Sequence, residues 1–151
     1  MLKANEILRV KGDVLYTISP DASVQEAIDI MGEQDIGSLV VLEHGELVGM
    51  LTFREVMRFL QQKRDIASAT VRGIMDDHPV SVTPNTDVAE VQRLMLNLHI
   101  RYMPIMDGPT LLGVISLYDM TKALIELEKF ENNMLKAYIK NWSENDDKSE
   151  D

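Results

Sequence analysis

The 151-residue chain has no cysteine. Disulfide staples, thiol nucleophiles and cysteine-ligated zinc are thereby excluded, and the absence fits a reducing cytosol. Positive charge is scarce: 15 Lys and Arg stand against 25 Asp and Glu, a formal net charge of −10. Such a field opposes the phosphate backbone of a nucleic acid, so no nucleic-acid partner is expected. A small anion is a different matter, because a few local donors outweigh a screened global charge. No apolar run approaches the roughly 18 residues of a membrane helix. The opening MLKANEILRV lacks the apolar core and small-residue cleavage site of a secretory leader. A cytoplasmic protein without a membrane partner is the expectation. Glycine-rich phosphate loops, GxGxxG and any nucleophile–base–orienter set are also missing. His44, His78 and His99 show no ligand spacing to one another or to paired carboxylates. Neither a metal site nor a catalytic residue is expected, and the chain reads as a non-enzyme.

What the chain does have is a repeat. With 45% apolar residues it can bury a core, and shifting the sequence by 64 aligns two segments without a gap. SPDASVQEAIDIM (19–31) lies over TPNTDVAEVQRLM (83–95), and IGSLVVLEHGELVGMLTFRE (36–55) over IRYMPIMDGPTLLGVISLYD (100–119). In each copy a Pro and a polar turn precede a capping box, Ser23-x-x-Glu26 or Asp87-x-x-Glu90. Apolar residues at helical spacing follow, at Val24, Ala27, Ile28 and Met31, then at Val88, Val91, Leu94, Met95 and Leu98. Two short strands joined by a tight turn come next, with a second helix starting after Thr52 or Ser116. Short strands, LYTIS and PVSVT, open each copy. The unit is β-α-β-β-α, twice. One copy is too short to close a core alone; two copies related by a pseudo-twofold axis close one and place equivalent segments on a shared cleft.

The two copies of Gly-apolar-apolar-Thr/Ser-x-x-Asp, here GMLTFRE and GVISLYD, together with IRYMPIMD, resemble the tandem cystathionine-β-synthase (CBS) domain pair, or Bateman module, of small stand-alone CBS-pair proteins. The resemblance covers roughly residues 5–125 and implies an α+β fold. TFRE departs from the pattern by carrying Glu in place of Asp. The expected organisation is a first CBS domain over 1–64, a second over 65–125, a C-terminal helix extension over 126–142 and a disordered acidic tail over 143–151.

Thr52-x-x-Glu55 and Ser116-x-x-Asp119 read in two compatible ways. Each is a good capping box, worth about 1 kcal/mol to its helix. Each also places a hydroxyl and a carboxylate where a helix N-terminus favours an anion. A carboxylate accepts both hydrogens of a cis-diol such as a ribose offers. The resemblance implies this second role, contact with the ribose and phosphate of an adenosine nucleotide, AMP or ATP foremost and NAD(H) as a relative. Asp119 keeps the expected length, whereas Glu55 is one methylene longer, so the second copy is the better diol site. Val114 and Met50 after the motif glycines, with Thr17-Ile18 and Ser81-Val82 on the opening strands, are candidate walls for an adenine ring or else plain strand core. In CBS pairs each site also borrows from the other copy. The Thr52/Glu55 site would take Ile100-Arg101-Tyr102, with Arg101 as a phosphate fork. The Ser116/Asp119 site would take Ile36-Gly37-Ser38, where Gly37 and Ser38 admit close backbone approach. Arg54 is placed to serve either site, or is merely solvated.

From Leu117 apolar residues recur at Met120, Leu124, Leu127, Phe130, Met134, Tyr138 and Trp142, outlasting the CBS pattern by about five turns. Such a stripe folds back on its own module or meets a partner; a homodimer is the preferred expectation, an effector protein the other. The functional expectation is a regulatory nucleotide sensor, with a ligand-free interaction scaffold as the alternative.

Overall fold

The computed structural model describes residues 1–147. Helix α1 (Ala4–Lys11) precedes the first repeat, which comprises β1 (Thr17–Ile18), α2 (Val24–Gln34), β2 (Ser38–Glu43), β3 (Glu46–Thr52) and α3 (Phe53–Gln61). After a 3₁₀ turn at Ile66–Ser68 and the short α4 (Val71–Ile74), the second repeat provides α5 (Val88–Leu98), β4 (Tyr102–Asp107), β5 (Thr110–Ser116) and α6 (Leu117–Asp147). The mixed helix-and-strand architecture, two repeats and a long last helix, is the α+β fold expected.

Local chemistry repeats at the same offset. Both β-hairpins shift register at one place, between Val41 and Leu42 and between Ile105 and Met106. The first turn uses His44 and Gly45 at positive φ, the second Gly108 alone, as tight hairpin turns require. Helices α2 and α5 end on left-handed caps, Asp35 and His99, whose N–H groups return to Met31 and Met95.

Three expectations need correction here. PVSVT is not a strand: only Val82 bridges to Ile105. In the first copy the Val40 N–H donates to the Tyr16 carbonyl at 3.0 Å; Pro104 occupies the corresponding place in the second copy and has no N–H to give. The Asp87 box does not form either, because the Asp87 carboxylate pairs with Lys3 and Glu90 with Arg93. Finally, residues 143–147 continue α6 rather than opening a tail. The Ser143 hydroxyl donates to the Lys140 carbonyl at 2.9 Å, and extending a formed helix costs little per residue. Residues 148–151 lie outside the described part.

The division at 64/65 is not a packing boundary. Ala4 and Ile7 of α1 are buried among Val88, Val91, Met95, Met103, Ile105 and Ile115 of the second repeat. Val71 of α4, 64 positions after Ile7, is buried among Ile18, Ala27, Met31, Leu39 and Leu51 of the first. Each repeat thus completes its core with the segment that leads into the other. Val40, Met50 and Val114 join the two hairpins face to face, with Tyr102 against them. Burial of this kind contributes roughly 25 cal/mol per Å² of apolar surface removed from water. It fixes the ends of β3 and β5, and with them both motifs, on either side of the shared seam.

Candidate functional site

Two clefts flank that seam. The second-copy motif forms a reciprocal helix cap: the Ser116 N–H donates to Asp119 Oδ2 at 2.8 Å, and the Asp119 N–H donates to Ser116 Oγ at 3.0 Å. Lys11, reaching across from α1, places Nζ 2.9 Å from the same Asp119 Oδ2 and donates to the Val114 carbonyl at 2.7 Å. Burial pushes the Asp119 carboxyl up, but the Lys11 ammonium, the Ser116 N–H and the Ser116 hydroxyl outweigh it and hold the group below the usual aspartate value. Asp119 is therefore ionised at neutral pH. Oδ1 has no hydrogen-bond donor among the described residues, and the residue lines a cavity of about 450 Å³. Val114, Ser116, Gly37, Ser38, Arg101 and Tyr102 line it too.

The first-copy motif differs as the longer side chain dictates. Thr52 Oγ1 accepts the Arg54 N–H at 3.2 Å and donates to Glu55 Oε2 at 2.5 Å, so this carboxylate turns onto its own cap. It lines a larger cavity of about 770 Å³ with Thr52, Arg54, Arg101 and Tyr102. The Arg54 guanidinium donates to the His99 carbonyl, tying α3 to the cap of α5.

The structure therefore brings together both motifs and both borrowed segments: Ile100, Arg101 and Tyr102 at the Thr52/Glu55 cleft, and Ile36, Gly37 and Ser38 at the Ser116/Asp119 cleft. Arg101 and Tyr102 line both cavities, which the repeat alone does not foretell. Gly37 acts differently from expectation. A Cβ there would stand 1.8 Å from Tyr102 Oη, so the room left by the missing side chain is filled by the tyrosine of the other repeat. Burial raises the Tyr102 phenol above its ordinary value, Arg101 opposes that, and Asp119 adds to it.

Thr17, Ile18 and Ser81 line neither cavity. Thr17 and Ser81 face solvent and Ile18 lies in the core. The walls are instead Tyr16 and Val80, one residue earlier in each copy; along an extended backbone neighbouring side chains point to opposite sides, so a slip of one position changes face. Sequence reasoning also missed Lys11, because the residue 64 positions on is Met75 and no repeat marks it. The cations Arg58 and Arg64 and the acids Asp76 and Asp77 of the larger cavity were missed as well. Among the described residues no group of three or more His, Asp or Glu side chains is placed to hold a metal, and no helix is long and apolar enough to cross a membrane.

Two motifs on paired hairpins, each completed by the opposite repeat, define a tandem pair rather than two independent domains. The CBS-domain family model matches residues 10–62 and 71–126, and the chain belongs to the CBS-domain family. It is 36% identical over 105 residues to the CBS domain-containing protein YhcV of Bacillus subtilis, covering 69% of this chain and 74% of that one. A putative signal-transduction protein with CBS domains from Burkholderia ambifaria superposes with a TM-score of 0.77 at 31% identity, over 83% of this chain and 95% of the other. Two more distant structures share the fold. A CBS domain protein of Pyrobaculum aerophilum complexed with AMP has a TM-score of 0.68 at 19% identity, over 78% and 89% of the chains. A CBS domain pair in complex with 5′-methylthioadenosine and S-adenosyl-L-methionine has a TM-score of 0.70 at 22%, over 82% and 95%.

Proposed function

We propose that this chain is a non-catalytic regulatory module that binds an adenine nucleotide, AMP or ATP before NAD(H), in the Ser116/Asp119 cleft and passes the occupancy to a partner or to its own assembly state. The observation that carries the reading is Asp119: ionised, fixed by Lys11 and the Ser116 N–H through Oδ2, with no donor to Oδ1 among the described residues, and lining the cavity. A carboxylate held in this way accepts from vicinal hydroxyls without reorganising. Lys11 and Arg101 are the cations nearest to hand for a phosphate. Distant members of the fold solved with AMP and with adenosine thioethers support an adenosine ligand as the class. A ligand-selected shift between the two repeats transmits about 1–3 kcal/mol.

Isothermal calorimetry and thermal shift with AMP, ATP, NADH and S-adenosylmethionine test it. One ligand should bind, with a stabilisation of about 2.7 kcal/mol at one hundred times its dissociation constant. Asp119→Ala should remove that effect and Glu55→Ala leave most of it. Loss with Glu55→Ala alone would move the site to the larger cleft. Silence from every ligand favours the scaffold reading.

A further inference from the structure

The nucleotide reading leaves α6 unexplained. Only its first two turns are packed: Met120 and Ala123 are buried and Leu124 leans on the same core. The family match ends at residue 126, yet the helix continues to Asp147, a further 30 Å or so at 1.5 Å per residue. From Ile125 to Glu144 every residue is exposed. Leu127, Phe130, Met134, Leu135, Tyr138, Ile139 and Trp142, between 37% and 64% exposed, share one broad face at helical spacing. A bare helix of this length is marginal in water, and its stability ordinarily comes from packing its apolar face.

We infer that this face pairs with α6 of a second copy, antiparallel and centred near Met134. Area is the first argument. The seven side chains present roughly 600–700 Å² of apolar surface, more than the largest patch of a typical monomer. Two copies together reach about 1,300 Å², inside the range of stable interfaces. Charge is the second. The chain carries −10, but over 127–144 Glu128, Glu131 and Glu144 are balanced by Lys129, Lys136 and Lys140, a net of zero. Up to Glu144, short of Asp146 and Asp147 at its end, the extension is thus an apolar surface without net charge, on which two strongly acidic chains meet without net repulsion. Charge also sets the direction. A parallel pair would lay Glu131 against Glu131 within the apolar face and bring two acidic modules side by side. The antiparallel pair separates the two Glu131 residues by about 9 Å and sets the modules at opposite ends, beyond the Debye length of about 8 Å at physiological salt.

Light scattering on the full chain should give twice 17.1 kDa, and Met134→Asp with Tyr138→Asp should raise the dimer dissociation constant roughly thirtyfold or more with the module's melting transition unchanged. Because the chain has no cysteine, single introduced thiols read the direction. Met134→Cys should link to itself under mild oxidation. Leu127→Cys should not, yet should link to Asn141→Cys when the two variants are mixed. A monomer at all concentrations, a dimer indifferent to the two aspartates, or Leu127→Cys linking to itself would each overturn the inference.

Discussion

Replacing Asp119 by alanine probes the cap, the ion pair and the proposed ligand contact at once, and the structure separates their sizes. Loss of the reciprocal cap at the start of α6 costs about 1 kcal/mol. The Lys11 pair spans 2.9 Å with side chains 24% and 15% exposed. It is worth about 1 kcal/mol once solvent screening is allowed for. Asp119→Ala should therefore lower unliganded stability by about 2 kcal/mol, which for a chain of this length is a fall in Tm of about 4–8 °C. Lys11→Met leaves the cap and removes the pair. A double-mutant cycle on urea denaturation isolates a coupling of about 1 kcal/mol. The pH dependence has a definite sign. The folded-state value of Asp119 lies below its ordinary 3.8, so its contribution is complete above the unfolded-state value and is lost as pH falls through the folded one. The stability gap between the native chain and Asp119→Ala should stay constant from neutral pH to about pH 5 and close below about pH 4. A coupling of zero, or a gap that widens on acidification, refutes the reasoning.

Gly37→Ala should displace the Tyr102 ring, whose Oη lies 1.8 Å from the new Cβ, at a cost of about 1–3 kcal/mol. Adding Tyr102→Phe should recover part of that loss in chemical denaturation, because it removes the 1.8 Å overlap and leaves only those at 2.9 Å, to the Tyr102 ring and to Phe53 Cε2. Ile7→Ala, at a site 1% exposed in the second repeat's core, should cost about 2–4 kcal/mol although the residue lies outside both repeats in sequence. A change under 0.5 kcal/mol in equilibrium unfolding would mean α1 is only loosely docked.

The repeat was the legible part. An offset of 64 foretells the hairpins, the helices and the pairing of each motif with the other copy's first hairpin strand, because those features rest on apolar spacing that both copies share. Position along a short extended segment was less legible: period-2 alternation leaves the face open until the pairing is known, and Thr17 of β1 and Ser81, whose segment forms no strand, both face away from the cavities. Pro104 is a signal that was available in the sequence, since a residue without an N–H weakens a ladder wherever it stands. Lys11 carried no signal, because α1 comes before the repeat and its docking depends on tertiary packing alone. The reach of Arg101 and Tyr102 into both clefts was equally hidden; it depends on how large side chains fill space across the seam.

Two identical copies about a twofold axis would make two identical clefts. Here equivalent positions differ, among them Lys11 and Met75, Gly37 and Arg101, Ser38 and Tyr102, Glu55 and Asp119. By symmetry alone the Asp119 cleft would receive Lys11, Gly37 and Ser38, and the Glu55 cleft Met75, Arg101 and Tyr102. Size redistributes them. Gly37 leaves a hole at the seam, Tyr102 fills it, and Arg101 beside it comes to line the Asp119 cavity as well as its own. One cleft thereby holds a carboxylate tied through Oδ2 to an ammonium and its own helix cap, with Lys11 and Arg101 as its cations. The other holds a carboxylate turned through Oε2 onto a neighbouring threonine among four arginines. Small-for-large exchange across a pseudo-twofold seam is enough, on packing grounds, to turn a symmetric pair of grooves into two clefts of unlike size and lining.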